Sequence, residues 1–113
     1  MADQGIRRIA CETGPDNFRV PDVTLLNRNA PREQIITHPP VAVFEILSLE
    51  DSMTRMLEKL ADYERMGIGA IWLIGPKKEL FRYHEGQLTP GSLFELPGTS
   101  FSVPFTQIAV LAD

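Results

Sequence analysis

The 113 residues are 43% hydrophobic and 23% charged, the proportions of one globular domain spanning 1–113 rather than of a disordered or fibrous chain. Eleven basic against fifteen acidic side chains give a net charge of −4, which excludes the broad basic field of an avid nucleic-acid binder but leaves room for a local basic groove. The longest uncharged stretch, 96–112, is broken by Pro97, Gly98 and Pro104, so no spanning helix is expected, and the opening Met1-Ala2-Asp3-Gln4-Gly5 lacks the regions of a secretory signal. With Cys11 as its single cysteine, the chain has no internal disulfide, and a cytoplasmic setting is predicted.

In chain order, Phe18 to Leu26 reads as a strand between the Gly14-Pro15 and Asn27-Arg28-Asn29 turn signals, with Pro21 restricting it to an edge or a bulge. Val41 to Leu47 is apolar at both parities apart from Glu45, the pattern of a strand covered on both faces. The period then changes. Over Leu49 to Met66, the residues Met53, Met56, Leu57, Leu60 and Tyr63 form one stripe, with Arg55, Glu58, Asp62 and Arg65 opposite, which predicts an amphipathic helix. Ser48 and Asp51 resemble a capping box at its start, and Gly67 supplies the stop.

Ala70 to Ile74 reads as a second buried strand, so that strand, helix and strand form a βαβ unit with parallel strands. Glu79 to Tyr83 follows as a short outer strand turning at Glu85-Gly86, and Ser92 to Leu96 and Phe101 to Val103 are weaker strands between Pro and Gly.

Glu45 carries the most information, because an ionised carboxylate inside an apolar strand is costly unless it is paired, hydrogen-bonded or metal-bound. A structural ion pair would satisfy it as well as a metal. Asp22 is a second carboxylate in a predicted strand. If the two strands are neighbours, Asp22, Glu45 and the main-chain carbonyl of Ile46 suit a hard cation such as Mg²⁺. Lys59, on the flank of the helical stripe, would add a positive charge to orient a water and stabilise developing negative charge in phosphodiester hydrolysis. As a flank residue, Lys59 is expected to cost only a few tenths of a kcal/mol in stability when truncated.

Four ordered blocks, Arg19-Val20-Pro21-Asp22-Val23, Pro39-Pro40-Val41-Ala42-Val43-Phe44-Glu45-Ile46-Leu47-Ser48, Glu58-Lys59-Leu60-Ala61-Asp62-Tyr63, and Gly67-Ile68 with Trp72-Leu73-Ile74 and Pro76, resemble the Uma-type restriction endonuclease family of the PD-(D/E)XK nuclease superfamily. The resemblance implies an α/β fold with a restriction-endonuclease-like mixed sheet, one βαβ unit and one main crossover helix. It also implies a Mg²⁺- or Mn²⁺-dependent endonuclease acting on DNA, with Asp22 and Glu45 as metal ligands and Asp22, Glu45 and Lys59 as the catalytic set. The superfamily's usual lysine position holds Leu47, and Lys59 on the helix takes that place, as in the family. Three positions usually acidic in the family are not: Arg55 precedes the helix lysine, Gly69-Ala70-Ile71 precedes Trp72, and Gly75 precedes Pro76. These losses favour an alternative, a catalytically degenerate nuclease-fold module for binding or assembly. The resemblance also implies an N-terminal helical segment that is expected to be absent here, as in a short natural variant or a fragment.

The remaining residues suggest structural roles. His38 and His84 lack partners at zinc-ligand spacing; Cys11 has no neighbour that would activate it; Trp72, Met53 and Met56 read as packing residues. Lys77, Lys78 and Arg82 form a small basic rim. One helix covers one face of the Val41–Leu47 strand, and the stretch from Pro90 to Pro104 contains five Pro and Gly residues. A homodimer is therefore expected to cover the other face, with a fold-back of Phe94 to Leu111 as the alternative. No membrane partner is expected.

Overall fold

The computed structural model describes residues 9–30, 32–95 and 102–104. Among these residues nine strands and one helix follow in order: β1 Cys11–Gly14, β2 Asn17–Arg19, β3 Val23–Leu25, β4 Ala42–Ile46, α1 Met53–Met66, β5 Ala70–Ile74, β6 Leu80–His84, β7 Gln87–Gly91, β8 Leu93–Glu95 and β9 Ser102–Pro104. A five-stranded mixed sheet has the order β3-β4-β5-β6-β7, and β1-β2 and β8-β9 form two separate two-stranded ribbons. The pairing of β4 with β5 is parallel across α1, as the βαβ reading requires, and the other pairs of the large sheet are antiparallel.

Residue parity sorts the core into two layers. Val43, Leu47, Ile71 and Leu73 pack with Met56, Leu60 and Tyr63 of the helix, while Ala42, Phe44, Trp72, Ile74 and Leu80 form the opposite layer. The expectation of a homodimer rests on that second layer lacking cover. In the single chain Phe44, Trp72 and Ile74 are already only 3–5% exposed, so their burial does not depend on a second subunit. The fold-back segment beyond residue 104 lies outside the described residues.

Several element boundaries differ from the sequence reading. The strand expected over Phe18–Leu26 is two strands: β2 pairs with β1, β3 pairs with β4, and the chain changes ribbons at Val20-Pro21-Asp22. The helix begins one turn later than expected. Ser52, not Ser48, is the N-cap, its Oγ accepting from the Arg55 N–H at 3.3 Å. Asp51 instead accepts from the Ser48 N–H at 2.8 Å, which closes a turn ahead of the helix. Because β7 lies outside it, β6 is not the outer strand. Glu85 and Gly86 both have positive φ, 49° and 80°, the two-residue turn that suits the twist of a tight hairpin. Arg82 does not join a basic rim: its guanidinium lies 5.2 Å from the Trp72 ring centroid and donates to the Gly69 carbonyl. Strands β8 and β9 pair antiparallel, while Leu96 and Phe101 of the expected strands lie outside the described residues.

Gly67 ends α1 at φ 101°, its N–H returning to the last turn, and an added Cβ would meet Pro39 Cγ at 3.4 Å. Gly67→Ala is therefore expected to cost about 1 kcal/mol or more, lowering Tm by several degrees in a thermal melt, whereas Gly14→Ala, at a residue without positive φ, serves as the milder reference.

Candidate active site

Asp22 follows directly on the Pro21 break, and its Oδ2 accepts the Ile46 N–H at 2.7 Å. The carboxylate thereby closes the free end of β4 where β3 has stopped pairing. Glu45 stands one residue earlier in β4, on the face covered by the helix, and is 2% exposed. Two helical side chains reach it. Lys59 Nζ lies 3.0 Å from Oε1, and the Tyr63 hydroxyl donates to Oε2 at 2.7 Å. The two donors are four residues apart, hence on one side of α1. Lys59 Nζ also donates to the Val20 carbonyl at 3.2 Å, tying the helix to the segment that leads into Asp22.

These groups share one cleft of about 330 Å³, lined by Arg19, Asp22, Glu45, Ile46 and Lys59, with Glu50, Asp51, Ser52, Arg55 and Met56 forming its helix-side wall. Asp22, Glu45 and Lys59, each anticipated from the sequence, are thus brought together from a loop, a strand and a helix. Among the described residues no group of three or more His, Cys, Asp and Glu side chains is arranged to hold an ion. Any cation here would rest on two carboxylates, main-chain oxygen and water. Arg55, where the family pattern is acidic, lines the same cleft.

Burial raises the Glu45 carboxyl above its ordinary range, opposed by the bonds from Tyr63 and Lys59, and the nearby Asp22 charge adds to the rise. The Tyr63 hydroxyl is raised by burial first and by Glu45 second. Burial, with Glu45 nearby, also pushes the Cys11 thiol up to about 11, which agrees with an unreactive buried thiol rather than a nucleophile.

Three participants were not anticipated in these roles. Tyr63 reads in the sequence as core packing, yet its hydroxyl is a donor to Glu45; its position one turn beyond Lys59 was the available signal. Asp62, expected on the solvent side, is 5% exposed. It accepts from Arg19 Nε at 2.8 Å and Asn17 Nδ2 at 3.0 Å, and pairs with Arg65. The β1-β2 ribbon turns that side of the helix into interior, and helical periodicity carries no signal of it. Arg19 lines the cleft through the same ribbon.

Comparison with known proteins bears on the fold and the family. A family model named Uma2 and described as "Putative restriction endonuclease" matches residues 2–105. A crystal structure described as a "putative nuclease belonging to DUF820 from Anabaena variabilis ATCC 29413" superposes with a TM-score of 0.68 at 21% identity, covering 91% of this chain and 65% of that one. The likeness confirms the restriction-endonuclease-like mixed α/β fold, and the chain spans somewhat less than two thirds of that protein's length. No curated protein matches the chain. Among the described residues no helix is long and apolar enough to cross a membrane. With the family model running across nearly the whole sequence, the chain belongs to the Uma2 family of putative restriction endonucleases.

Proposed function

We propose that this chain is a divalent-metal-dependent endonuclease domain, one unit over residues 1–113, that hydrolyses phosphodiester bonds of DNA. The observation that carries this reading is the convergence of Asp22, Glu45 and Lys59 on one cleft. Family membership supplies the reaction class. The donor set fits a hard cation: two carboxylates face the cleft, and Glu45 is buried deeply enough to need charge compensation. Within a strand, the N–H and C=O of one residue point the same way. The Ile46 carbonyl is therefore directed to the edge at which its N–H meets Asp22. Asp22, Glu45 and the Ile46 carbonyl would hold Mg²⁺ or Mn²⁺, with water completing the shell as Mg²⁺ prefers.

The cation, when bound, supplies neutralisation of phosphate charge and a more acidic water. The protein supplies the rest. Asp22 and Glu45 would hold the cation, and with it the reacting phosphate, at a fixed position relative to the helix. Lys59, held between Glu45 and the Val20 carbonyl, presents an ammonium to orient the attacking water and to stabilise charge as it builds on the phosphoryl oxygens. In the balanced reaction, the water oxygen bonds to phosphorus and the bond to the leaving sugar oxygen breaks. One water proton ends on that oxygen and the other passes to solvent.

Calorimetric titration with Mn²⁺, paired with nicking of supercoiled plasmid in Mg²⁺ and in EDTA, tests the reading. Binding of about one ion and metal-dependent nicking are expected. A protein that binds neither ion, with plasmid left intact, would instead be the degenerate nuclease-fold module, its Glu45 satisfied by Lys59 and Tyr63 alone.

A further inference from the structure

We infer that Arg19 is a phosphate-contacting residue of this cleft and that buried Asp62 is its positioning residue. The inference rests on the nuclease reading above and extends it to how the substrate backbone is held. Arg19 lies on β2, three residues before Asp22, and lines the cleft beside Asp22, Glu45 and Lys59. Its Nε is committed to Asp62 at 2.8 Å, and its side chain is 34% exposed. Neither Nη nitrogen has a hydrogen-bond partner among the described residues. A guanidinium held at Nε keeps a fixed plane with its far edge open, which suits recognition of a phosphate oxygen pair.

Charge reinforces the assignment. Asp62 is shared by Arg19 and Arg65, so the cluster retains one positive charge in excess. Asn17 also donates to Asp62, and its amide reaches Thr13 Oγ1 at 2.7 Å, so the carboxylate is held from the ribbon as well as from the helix. Glu50 and Asp51 also line the cleft and repel an anion, leaving Arg19, Arg55 and Lys59 as its cations that would draw the backbone inward. Only Arg19 of these three is braced by a buried carboxylate outside the cleft.

Arg65 provides the internal control, because it pairs with the same carboxylate, is 67% exposed, and does not line the cleft. The test measures binding of a short fluorescein-labelled DNA duplex by anisotropy, in Ca²⁺ and over a range of salt, with Mn²⁺ calorimetry on each protein. Arg19→Gln is expected to weaken duplex binding about tenfold and to reduce the salt slope by about one. Mn²⁺ affinity should be unchanged, because Asp62 keeps Arg65 and Asn17 and the fold survives. Arg65→Gln should leave duplex affinity within about twofold of wild type, the expectation for a charge outside the contact. Asp62→Asn should weaken the duplex and spare Mn²⁺. If Arg19→Gln binds as the wild type does, or if Arg65→Gln loses as much as Arg19→Gln, the ion pair is structural and the inference is wrong. Unaltered duplex affinity in Asp62→Asn would remove its positioning role. A wild type that binds Mn²⁺ but no duplex would overturn this inference together with the DNA substrate, while leaving the metal site standing.

Discussion

Glu45→Gln is expected to abolish Mn²⁺ binding and to lower any metal-dependent cleavage about a thousandfold or more, while the metal-free protein still folds. The magnitude follows from removing one of the two proposed carboxylate ligands of a charge-neutralising centre, each tenfold in rate corresponding to about 1.4 kcal/mol. The fold survives because the amide is nearly isosteric: its oxygen accepts from Lys59, and the Tyr63 hydroxyl rotates to accept from its nitrogen. The pH dependence has a definite sign. Burial raises the Glu45 carboxyl above its unfolded value, so the folded state holds the proton more tightly. The stability this contributes is present below the ordinary carboxylate range and is lost as pH rises through the folded-state value. Urea midpoints of the wild type should therefore fall over that interval, those of Glu45→Gln should fall less, and wild-type Mn²⁺ affinity should climb as the competing proton leaves. Unchanged Mn²⁺ affinity in the variant would place the ion elsewhere and make Glu45 a structural partner only.

Lys59→Ala is expected to reduce cleavage about a hundredfold or more and also to cost about 1–3 kcal/mol of stability. Its flank position on the helix implies a far smaller cost, a few tenths. The difference arises because Lys59 Nζ is 3.0 Å from Glu45 Oε1, and Glu45 is buried, so truncation strands a carboxylate in the interior with Tyr63 as its remaining side-chain donor among the described residues. Removing that charge first should remove most of the penalty. In a Glu45→Gln background, Lys59→Ala is expected to cost only a few tenths of a kcal/mol, a strong non-additivity visible in the denaturation midpoints of the four proteins. Additive costs would mean that Lys59 does not serve Glu45. Wild-type cleavage by Lys59→Ala would remove it from the chemistry.

What the sequence made legible, and what it did not, divides along the range of the interactions. The βαβ unit was readable because Val41–Leu47, the Met53–Tyr63 stripe and Ala70–Ile74 each follow their own period, and Gly67 marks the boundary where the period changes. Asp22, Glu45 and Lys59 stood out because a carboxylate in an apolar strand and a lysine beside an apolar stripe conflict with their surroundings. The split at Pro21 was not readable, since Phe18–Leu26 has strand composition on both sides of it and the choice of partner ribbon is long-range. Asp62 was hidden for the same reason: the helix alone places it outside, and only the docked β1-β2 ribbon buries it.

Pro21 does more than break a strand. The antiparallel register Val23↔Phe44, Thr24↔Val43, Leu25↔Ala42, continued by two residues, sets Pro21 opposite Ile46. An ordinary residue there would exchange two main-chain bonds with Ile46, accepting its N–H and donating to its carbonyl. Proline has no N–H to donate, and Asp22 Oδ2 has taken the Ile46 N–H. Its donor thus satisfied by a neighbouring side chain, Ile46 keeps a carbonyl that the adjoining strand cannot engage. An imino acid one residue ahead of a carboxylate thus converts the frayed end of a sheet into an oxygen-rich corner, and the main-chain share of that corner comes from a donor the chain never had.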